Sequence, residues 1–522
     1  MTGAQQNLPE LAFGIVGPLG TDTSLVEKYL KQELTRVGYQ SESLRLSRLM
    51  REIPGEPWSS LKDQARDEEI SSHIRAGNEL RRRLGKNDAL ALLGIGALRE
   101  YRELKCGDPN QHIAGFASIF RSLKRPEEIE TLRRIYGPTF FVIAAHAPRT
   151  RRVNDLAKTI ADGHFKSHTN DYRAAAETLI STDEAEAANP FGQDVRKAFA
   201  LADVIVNAGD DASLRDQLKR FIELLFGNTL LTPSRDEQGM FLARAAALRS
   251  ASLARQVGAV ICRPDGSVVA LGCNEVACYS GGQYWPLSPG GDGRDFQLGQ
   301  DSSDRMRENL LGDILDRLKS NGWLSSDLTT FSTSDLVSRA LREGTQPIMK
   351  DAQFNATIDY VRAVHAEMAA ITDAARHGIP TAGCELYTTT FPCHDCAKHI
   401  VAAGLNRVVY IEPYPKSLVG ELFADSITVD SESSFTPTSG DQTRARVRID
   451  PFVGIAPARY GDLFALQKRK RKTADGRVIS WQPEGSSPML PDYMLPRVAR
   501  LTVEELAFDE FKNDLKRMQP NS

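Results

Sequence analysis

Two short motifs constrain the fold and chemistry of this chain more than any other stretch. The first is His365-Ala366-Glu367 and the second is Pro392-Cys393-His394-Asp395-Cys396. A helical pattern follows each motif, so we expect His365, Cys393 and Cys396 at two helix starts, where free N–H groups and the helix dipole favour cysteine thiolates. Three such ligands leave one tetrahedral position of Zn²⁺ open, which is typical of a catalytic site.

Glu367 follows His365 by two residues and can point into the same cavity without binding the metal. We predict that it takes a proton from a zinc-activated water and passes it to the substrate. A lone Cys-x-x-Cys pair is also typical of half a structural zinc site, and a lone His-x-Glu is not specific. The ordered pair of motifs, each heading a helix, favours catalysis. The cysteines outside the motifs that follow residue 232 are interpreted as core residues: Cys262, Cys273, Cys278 and Cys384.

The sequence around the motifs predicts an α/β/α sandwich over residues 232–522. Periodicity predicts helices at 236–254, 366–376 and 393–403, and strands at 257–262, 267–273, 385–389 and 407–412. An insertion spans about 278–355, and an extension begins at about 413. Residues 446–460 are predicted to form a strand and a turn.

The N-terminal half predicts a different α/β domain, over residues 10–228 after a short tail at 1–9. A short apolar strand at 11–16 precedes a glycine-containing loop and then a helix at 25–37, which is the context of a phosphate-binding loop. The candidate nucleotide-binding residues are Gly17, Gly20, Thr23 and Ser24. Because Asp22 and Thr23 stand where such loops carry glycine and lysine, we expect no phosphoryl transfer. The loop is either a simple turn or a weak nucleotide-sensing site.

Further apolar runs at 88–95, 139–144 and 202–207 are predicted as buried parallel strands alternating with helices. This half therefore resembles the P-loop nucleotide kinases. The arginines within 146–153 resemble the lid of those enzymes, and a solvated helix start is the other interpretation.

Size and composition limit the remaining possibilities. The 522 residues exceed one core, no apolar run is long enough to cross a membrane, and the first ten residues do not resemble a secretory signal. Seven cysteines without framework spacing indicate reduced thiols, so we expect a cytoplasmic protein. The formal net charge of −3 and the 7% aromatic content argue against a polynucleotide groove.

Several segments together resemble the deoxycytidylate deaminases. These are Arg249-Ser250, the run from Arg255 to Ile261, Gly272-Cys273-Asn274, and the two motifs above. The resemblance implies Zn²⁺ as cofactor and hydrolysis of a deoxycytidine nucleotide (dCTP, dCMP or both). It also implies that Asn274 contacts the sugar of the nucleotide. Lys416 is a weaker candidate for the substrate phosphate.

The fusion of a kinase-like half to this deaminase resembles bacterial anti-phage dCTP/dCMP deaminases. Membership implies depletion of the deoxycytidine nucleotide pool, a homo-oligomer, and activity held in check by a nucleotide at the N-terminal domain or by an inhibitory RNA or protein. The basic run at 468–472 is either a solvated surface or a contact for a triphosphate or a regulatory RNA. The alternative functions are a polynucleotide deaminase that acts on flipped bases and a non-catalytic, zinc-folded regulator.

Overall fold

The computed structural model describes residues 8–61, 66–184, 186, 189–288, 290–344, 347–349, 352, 354, 360–414, 417–429, 446–466, 469–490 and 497–518. The elements up to residue 225 are β1 Leu11–Val16, α1 Thr23–Arg36, β2 Gln40–Arg45, α2 Leu46–Leu49, α3 Arg66–Leu84, α4 Ala89–Cys106, β3 Phe116–Leu123, α5 Pro126–Tyr136, β4 Phe140–His146, α6 Arg149–Gly163, α7 Arg173–Glu184, α8 Val195–Ala200, β5 Val204–Asn207 and α9 Asp211–Leu225.

The later elements are α10 Arg235–Ala247, β6 Gly258–Cys262, β7 Val268–Cys273, β8 Glu275–Val276, α11 Ser302–Ser320, α12 Ser326–Thr329, α13 Thr333–Arg342, β9 Ala363–Val364, α14 Ala366–Arg376, β10 Glu385–Thr390, α15 His394–Ala402, β11 Arg407–Glu412, α16 Val419–Leu422, β12 Ile427–Val429, β13 Val447–Pro451, β14 Gly454–Ile455, α17 Pro457–Phe464 and α18 Arg497–Met518. The chain forms two compact units, and their boundary falls within α10.

The first unit is built on a sheet with strand order β14-β5-β4-β1-β3-β2. The strands from β5 to β2 pair in parallel, whereas β14 adds antiparallel to β5. The inner strands β1 and β4 are almost entirely buried, as expected for a parallel sheet covered by helices on both faces. The loop that follows the central strand β1 therefore lies at the carboxyl edge of the sheet, where α/β folds place ligands.

The second unit contains a sheet with strand order β12-β13-β11-β10-β6-β7. Strands β10 and β11 are parallel, and β6 runs antiparallel to both β10 and β7. The order of helices and strands predicted around the motifs is confirmed. Strand β8 pairs antiparallel with β9 in a separate ribbon, which brings the two ends of the insertion together directly before His365.

The prediction of a strand at 88–95 is wrong, because these residues form the first turns of α4. A continuous apolar run does not distinguish a buried strand from a helix buried on several sides. Gly94 faces Leu46 and Phe120, and Gly96 faces the Phe508 ring. Close packing on both faces therefore explains an apolar run without helical periodicity.

Residues 451–522 cluster with the first unit, although the sequence placed them in an extension of the second domain. Strand β14 pairs with β5, and residues 457–460, predicted as part of a turn, form the first part of α17. In α18, Glu504 accepts a hydrogen bond from the Arg102 guanidinium, and Phe511 is fully buried. Pairing between segments so distant in sequence leaves no local signal.

Helix α10 ends at Ala247 and not at residue 254 as the periodicity suggested. The Ser250 hydroxyl donates to the carbonyl of Asn274, and the Ala251 amide donates to Glu275 Oε2. These hydrogen bonds take the backbone out of the helix and hold it against the end of β7.

Candidate metal centre and its surroundings

The three predicted metal ligands lie at two helix starts that the fold brings together. His365 is the N-cap of α14 and makes no side-chain capping hydrogen bond, so its imidazole is available to a ligand. Cys393 is the N-cap of α15, and its Sγ accepts a hydrogen bond from the Cys396 amide at 3.4 Å. Alanine-rich sequence favours α14, and Gly378, with φ +68°, follows its end.

The spacing of the ligand atoms suits a tetrahedral ion. His365 Nδ1 lies 3.3 Å from Cys393 Sγ and 3.3 Å from Cys396 Sγ, and all three ligand atoms fall within 4.8 Å of one another. With Zn–N near 2.0 Å and Zn–S near 2.3 Å, tetrahedral geometry calls for an N–S separation of about 3.5 Å. The cluster fits zinc with three protein ligands and a free fourth position.

The charge state of the two cysteines is set by their mutual contact. The hydrogen bond from the Cys396 thiol, aided by His365, lowers the pKa of Cys393 to about 4 despite burial. The same contact raises the pKa of Cys396. A cation that binds both sulfur atoms therefore replaces the proton that they share, so metal uptake is coupled to proton release.

Glu367 occupies the position expected of a proton carrier. Its side chain is 4% exposed, its Oε2 accepts a hydrogen bond from the Cys396 thiol at 3.3 Å, and its Oε1 accepts one from the Thr388 hydroxyl at 3.3 Å. Burial raises the pKa of this carboxyl. A buried carboxyl beside the ligand atoms can exchange protons with a reacting group.

Asn274 organises the loop that leads into β6. Its Oδ1 accepts a hydrogen bond from the Val257 amide, and its Nδ2 donates to the carbonyl of Arg255. The next amide, that of Gly258, donates to the Thr389 hydroxyl. Asn274 is thus held next to a strand that leads to the second motif. Lys416, the other substrate candidate, lies outside the described residues.

Sequence reasoning missed two polar side chains of this centre, Thr388 and Thr389. Both are buried and bond to the Glu367 carboxylate and to the Gly258 amide, respectively. Three consecutive threonines in a strand between apolar segments were a usable signal, because buried hydroxyls need partners. The four cysteines that follow residue 232 outside the motif are free thiols; Cys262, Cys273 and Cys384 are buried as predicted, whereas Cys278 is only partly buried.

The candidate residues of the N-terminal loop lie together at the edge of the first unit. Gly17, Gly20, Thr23 and Ser24 line one cavity of about 600 Å³. Gly20 has φ +86°, and a Cβ there would lie 2.6 Å from the carbonyl oxygen of Arg152, so only glycine fits. The hydroxyls of Thr23 and Ser24 accept hydrogen bonds from Arg121.

The arginines at the start of α6 do not line this cavity, and only Arg152 of the three is buried, whereas Arg149 and Arg151 are exposed. Arg152 is 6% exposed and donates to Glu184, Arg149 donates to Ser181, and Arg151 donates to the carbonyl of Gly209. The exposure of Arg149 and Arg151 fits the solvated helix start, and the lid stays a prediction.

The basic run near the C-terminus is mostly exposed where it is described, although Lys468 is outside the described residues. Arg469 and Arg471 donate hydrogen bonds to the carbonyls of Ala465 and Thr229.

The second unit is an α/β domain with a His-Cys-Cys cluster that could hold a metal ion. Residues 233–412 match the family model of the cytidine and deoxycytidylate deaminase zinc-binding region. This stretch is thus similar to the family that the motifs suggested.

Curated relatives extend the comparison over shorter stretches. The chain is 47% identical to ComE operon protein 2 of Bacillus subtilis (strain 168) over 53 residues, 10% of this chain and 28% of that protein. It is 46% identical to deoxycytidylate deaminase of Enterobacteria phage T4 over 57 residues, 11% of this chain and 30% of the relative. The human deoxycytidylate deaminase is 32% identical over 65 residues, 12% of this chain and 35% of that enzyme. The chain thus covers about a third of these relatives' length.

Among solved structures, dCMP deaminase from the cyanophage S-TIM5 in apo form matches 42% of this chain and 100% of its own, with 16% identity and a TM-score of 0.21. Its complex with dCMP and dUMP matches 35% of this chain and 85% of its own, with 20% identity and a TM-score of 0.20.

No described helix is both long and apolar enough to span a membrane.

Proposed function

We propose that this protein is a zinc-dependent deaminase that hydrolyses deoxycytidine nucleotides, dCTP, dCMP or both, to deoxyuridine nucleotides and ammonia. The observation that carries the proposal is the convergence of His365, Cys393 and Cys396 with the buried carboxyl of Glu367 on their open side. The similarity of residues 233–412 to the deaminase zinc-binding region supports it.

In the proposed reaction, water adds at C4 of the cytosine ring and the amino group leaves as ammonia, so one C–N bond is exchanged for one C–O bond. Zinc held by His365, Cys393 and Cys396 supplies a coordinated water whose pKa is lowered toward neutrality. Glu367 accepts a proton from the attacking water and delivers it to ring N3. It then accepts the second proton, from the hydroxyl group now on C4, and delivers it to the amino group, which leaves as ammonia while C4 becomes a carbonyl. Its raised pKa suits this work, because a carboxyl that binds protons more readily than usual can both take up and return one.

Substrate positioning falls to residues outside the metal centre. We propose that Asn274, fixed by its hydrogen bonds to the backbone of Val257 and Arg255, presents its remaining amide hydrogen to the sugar. Lys416 is retained as a candidate for the phosphate because it follows the second motif closely in sequence.

The cellular role rests on the resemblance to anti-phage deaminases. We propose that the protein acts in the cytoplasm as a homo-oligomer, that it depletes the deoxycytidine nucleotide pool during infection, and that an RNA or protein inhibitor restrains it. A regulatory nucleotide is proposed for the first unit, in the cavity beside Gly17 and Gly20. Deaminase rates measured with added dTTP and with co-purified RNA removed test this regulation.

A substrate panel tests the catalytic proposal. The purified, zinc-loaded protein is incubated with dCTP, dCMP, CTP and single-stranded DNA, and the release of ammonia and uracil is followed. We expect turnover on a free deoxycytidine nucleotide. Turnover on DNA alone would establish the polynucleotide deaminase instead.

Glu367→Gln tests the catalytic role of the carboxyl, with the exposed Glu421→Gln in the same unit as matched control. We expect Glu367→Gln to keep its zinc and lose about 10²–10⁴-fold in kcat, since it removes general acid–base catalysis. The control should retain full activity. Undiminished turnover by Glu367→Gln would show that another group moves the proton.

A further inference from the structure

The cavity at the carboxyl edge of the first sheet contains two different groups that could meet an anion. One is the backbone of residues 17–24, and the other is a set of arginines that includes Arg45, Arg66 and Arg121. Its volume of about 600 Å³ is that of a typical pocket for a nucleotide-sized ligand. The question is which group would hold a phosphate.

Three backbone amides of the glycine-containing loop and of the helix start after it are bound to carboxylates of the same chain. Asp22 Oδ1 accepts hydrogen bonds from the amides of Ser24 and Leu25 at 3.0 and 3.1 Å. Asp183, which is 1% exposed, accepts a hydrogen bond from the Leu19 amide at 2.7 Å. A phosphate at the loop would have to displace two carboxylates from the donors that phosphate-binding loops use.

The lysine nearest the loop is occupied as well. Lys124 Nζ lies 2.7 Å from Asp183 Oδ1 and donates to the carbonyl of Gly17 at 3.0 Å. Asp183 and Lys124 thus form a nearly buried ion pair that closes the anion position of the loop. Breaking such a pair leaves an uncompensated charge, which is costly.

The arginines differ from the loop, because two of them, Arg45 and Arg121, stand side by side in the sheet. Arg45 at the end of β2 is the register partner of Arg121 on the neighbouring parallel strand β3. Partners on adjacent strands lie about 4.8 Å apart and point to the same face, so the two guanidinium groups repel each other. Arg121 pairs with Glu27, but its Nε is buried without a hydrogen-bond partner. Arg45 has no hydrogen bond or ion pair within the part of the chain that the structure describes.

The lowered pKa of Arg45 reflects the same crowding of positive charge. Burial lowers the pKa of Arg45, and repulsion by the Arg48, Arg121 and Arg66 guanidinium groups lowers it further. Arg66 is paired with Glu69, so it adds less free charge than Arg45 does. A bound anion would relieve the repulsion that the folded unit otherwise tolerates.

The backbone of β3 is irregular at Ser122, directly after Arg121. Ser122 has φ +72°, in the left-handed region that non-glycine residues rarely adopt. The register between β1 and β3 shifts at this point, since Ile15 pairs with Arg121 but Val16 pairs with Leu123. Ser122 is therefore a bulged residue that lines the cavity, and bulges of this kind often re-aim side chains next to ligand sites.

We propose that the first unit binds a nucleotide through its phosphate on Arg45 and Arg121, and not on the glycine-containing loop. The apolar side chains of Met50, Ile70 and Ile74 line the same cavity and would receive the base and sugar. The inference refines the proposed regulatory nucleotide and does not depend on whether the second unit deaminates cytosine.

Binding to the full-length, zinc-loaded protein tests the site. The probes are AMP, dTMP and inorganic phosphate, with adenosine and thymidine as uncharged controls, measured by isothermal titration. We expect a monophosphate to bind, and Arg45→Gln and Arg121→Gln each to weaken it by about tenfold or more, since each removes a charge-assisted hydrogen bond. Inorganic phosphate alone binding as tightly as the nucleotides would show that the base and sugar contribute nothing, contrary to the proposal.

Arg82→Gln is the matched control, because Arg82 is exposed, lies in the same unit and does not line the cavity. It should change the dissociation constant by less than about twofold, as should Glu367→Gln in the other unit. Without ligand, Arg45→Gln should also melt no lower than the wild type, because it removes a repulsion. This separates lost binding from lost folding.

Asp183→Asn distinguishes the two possible phosphate positions. It weakens the hold of the chain's own carboxylate on the Leu19 amide and leaves Arg45 in place. We expect monophosphate affinity to stay within about threefold of the wild type. The proposal is overturned if Asp183→Asn tightens binding tenfold while Arg45→Gln has no effect, or if the wild type binds none of the probes.

Discussion

Gly272 allows the helix that carries His365 and Glu367 to approach strand β7, and its replacement by alanine should damage the metal centre. A Cβ at this position would lie 2.2 Å from the carbonyl oxygen of Ala366 and 2.5 Å from the amide nitrogen of Ala370. Both atoms belong to the backbone of α14, so no side-chain rotation can relieve the contact.

The size of the required movement follows from these distances. A carbon–oxygen contact is tolerated at about 3.3 Å, so the strand and the start of α14 must separate by about 1 Å. Zinc–ligand distances hold to about 0.2 Å, and Ala366 lies between His365, the proposed zinc ligand, and Glu367, the proposed general base. We expect Gly272→Ala to lower zinc affinity by about 10–100-fold or more and kcat by about 100-fold.

The assay measures bound zinc and deaminase rate across a zinc titration. Gly420→Ala is the matched control, because a Cβ at Gly420 meets no atom within 4 Å. Excess zinc should partly restore the Gly272→Ala rate, which would distinguish a displaced site from an unfolded domain. If the variant keeps stoichiometric zinc and a rate within threefold of the wild type, α14 does not need its close approach to β7.

Three further predictions concern stability and metal. Arg102→Met should destabilise the first unit by about 3–5 kcal/mol, because Arg102 pairs with the buried carboxylates of Glu10 and Glu504. Faster hydrogen exchange of the backbone amides in 497–518 would report this loss. Burial, with repulsion from Arg152, lowers the pKa of His146 to about 4. The neutral imidazole therefore contributes to the free energy of unfolding above pH 6.5, and this contribution is lost as the pH falls from about 6.5 to 4. His146→Gln should therefore reduce the acid loss of unfolding free energy, by up to about 3 kcal/mol, in urea titrations at both pH values. Removing zinc with a chelator should abolish deamination and zinc alone should restore it, and activity that survives complete removal would exclude the metal centre.

The metal centre was predictable because its determinants are local. The boundaries 366–376 of α14 and 407–412 of β11 match the prediction, since helix caps and apolar patterns act within a few residues. His365 and Cys393 are N-caps, which the helix-start interpretation required. The buried hydroxyl partners and the close approach at Gly272 depend on packing between elements, so the sequence pattern alone did not reveal them.

The first unit was less predictable because its determinants are distant in sequence. The apolar run at 88–95 is buried by helix and sheet neighbours on several sides, and only those neighbours show that it is helical. The closing of the sheet edge by residues 454–455 depends on a partner at 204–205. Asp183 reaches the glycine-containing loop across 164 positions of the chain. The residues of the loop show that it departs from the usual phosphate-binding sequence. They do not show which distant carboxylate accepts hydrogen bonds from its amides.

Three helix starts in this protein show how the capping side chain decides what a helix terminus can bind. At α1, Asp22 accepts hydrogen bonds from two amides itself, so the positive end of the helix is neutralised from within. At α14, His365 occupies the N-cap position, but its side chain makes no capping hydrogen bond. At α15, the Cys393 sulfur accepts a hydrogen bond from only one backbone amide. These side chains keep lone pairs for a cation, whereas the Asp22 carboxylate repels an anion. The capping side chain therefore suits two helix starts of the second unit to a metal and disfavours phosphate at the loop of the first, in keeping with the proposal that Arg45 and Arg121 hold the phosphate in that cavity.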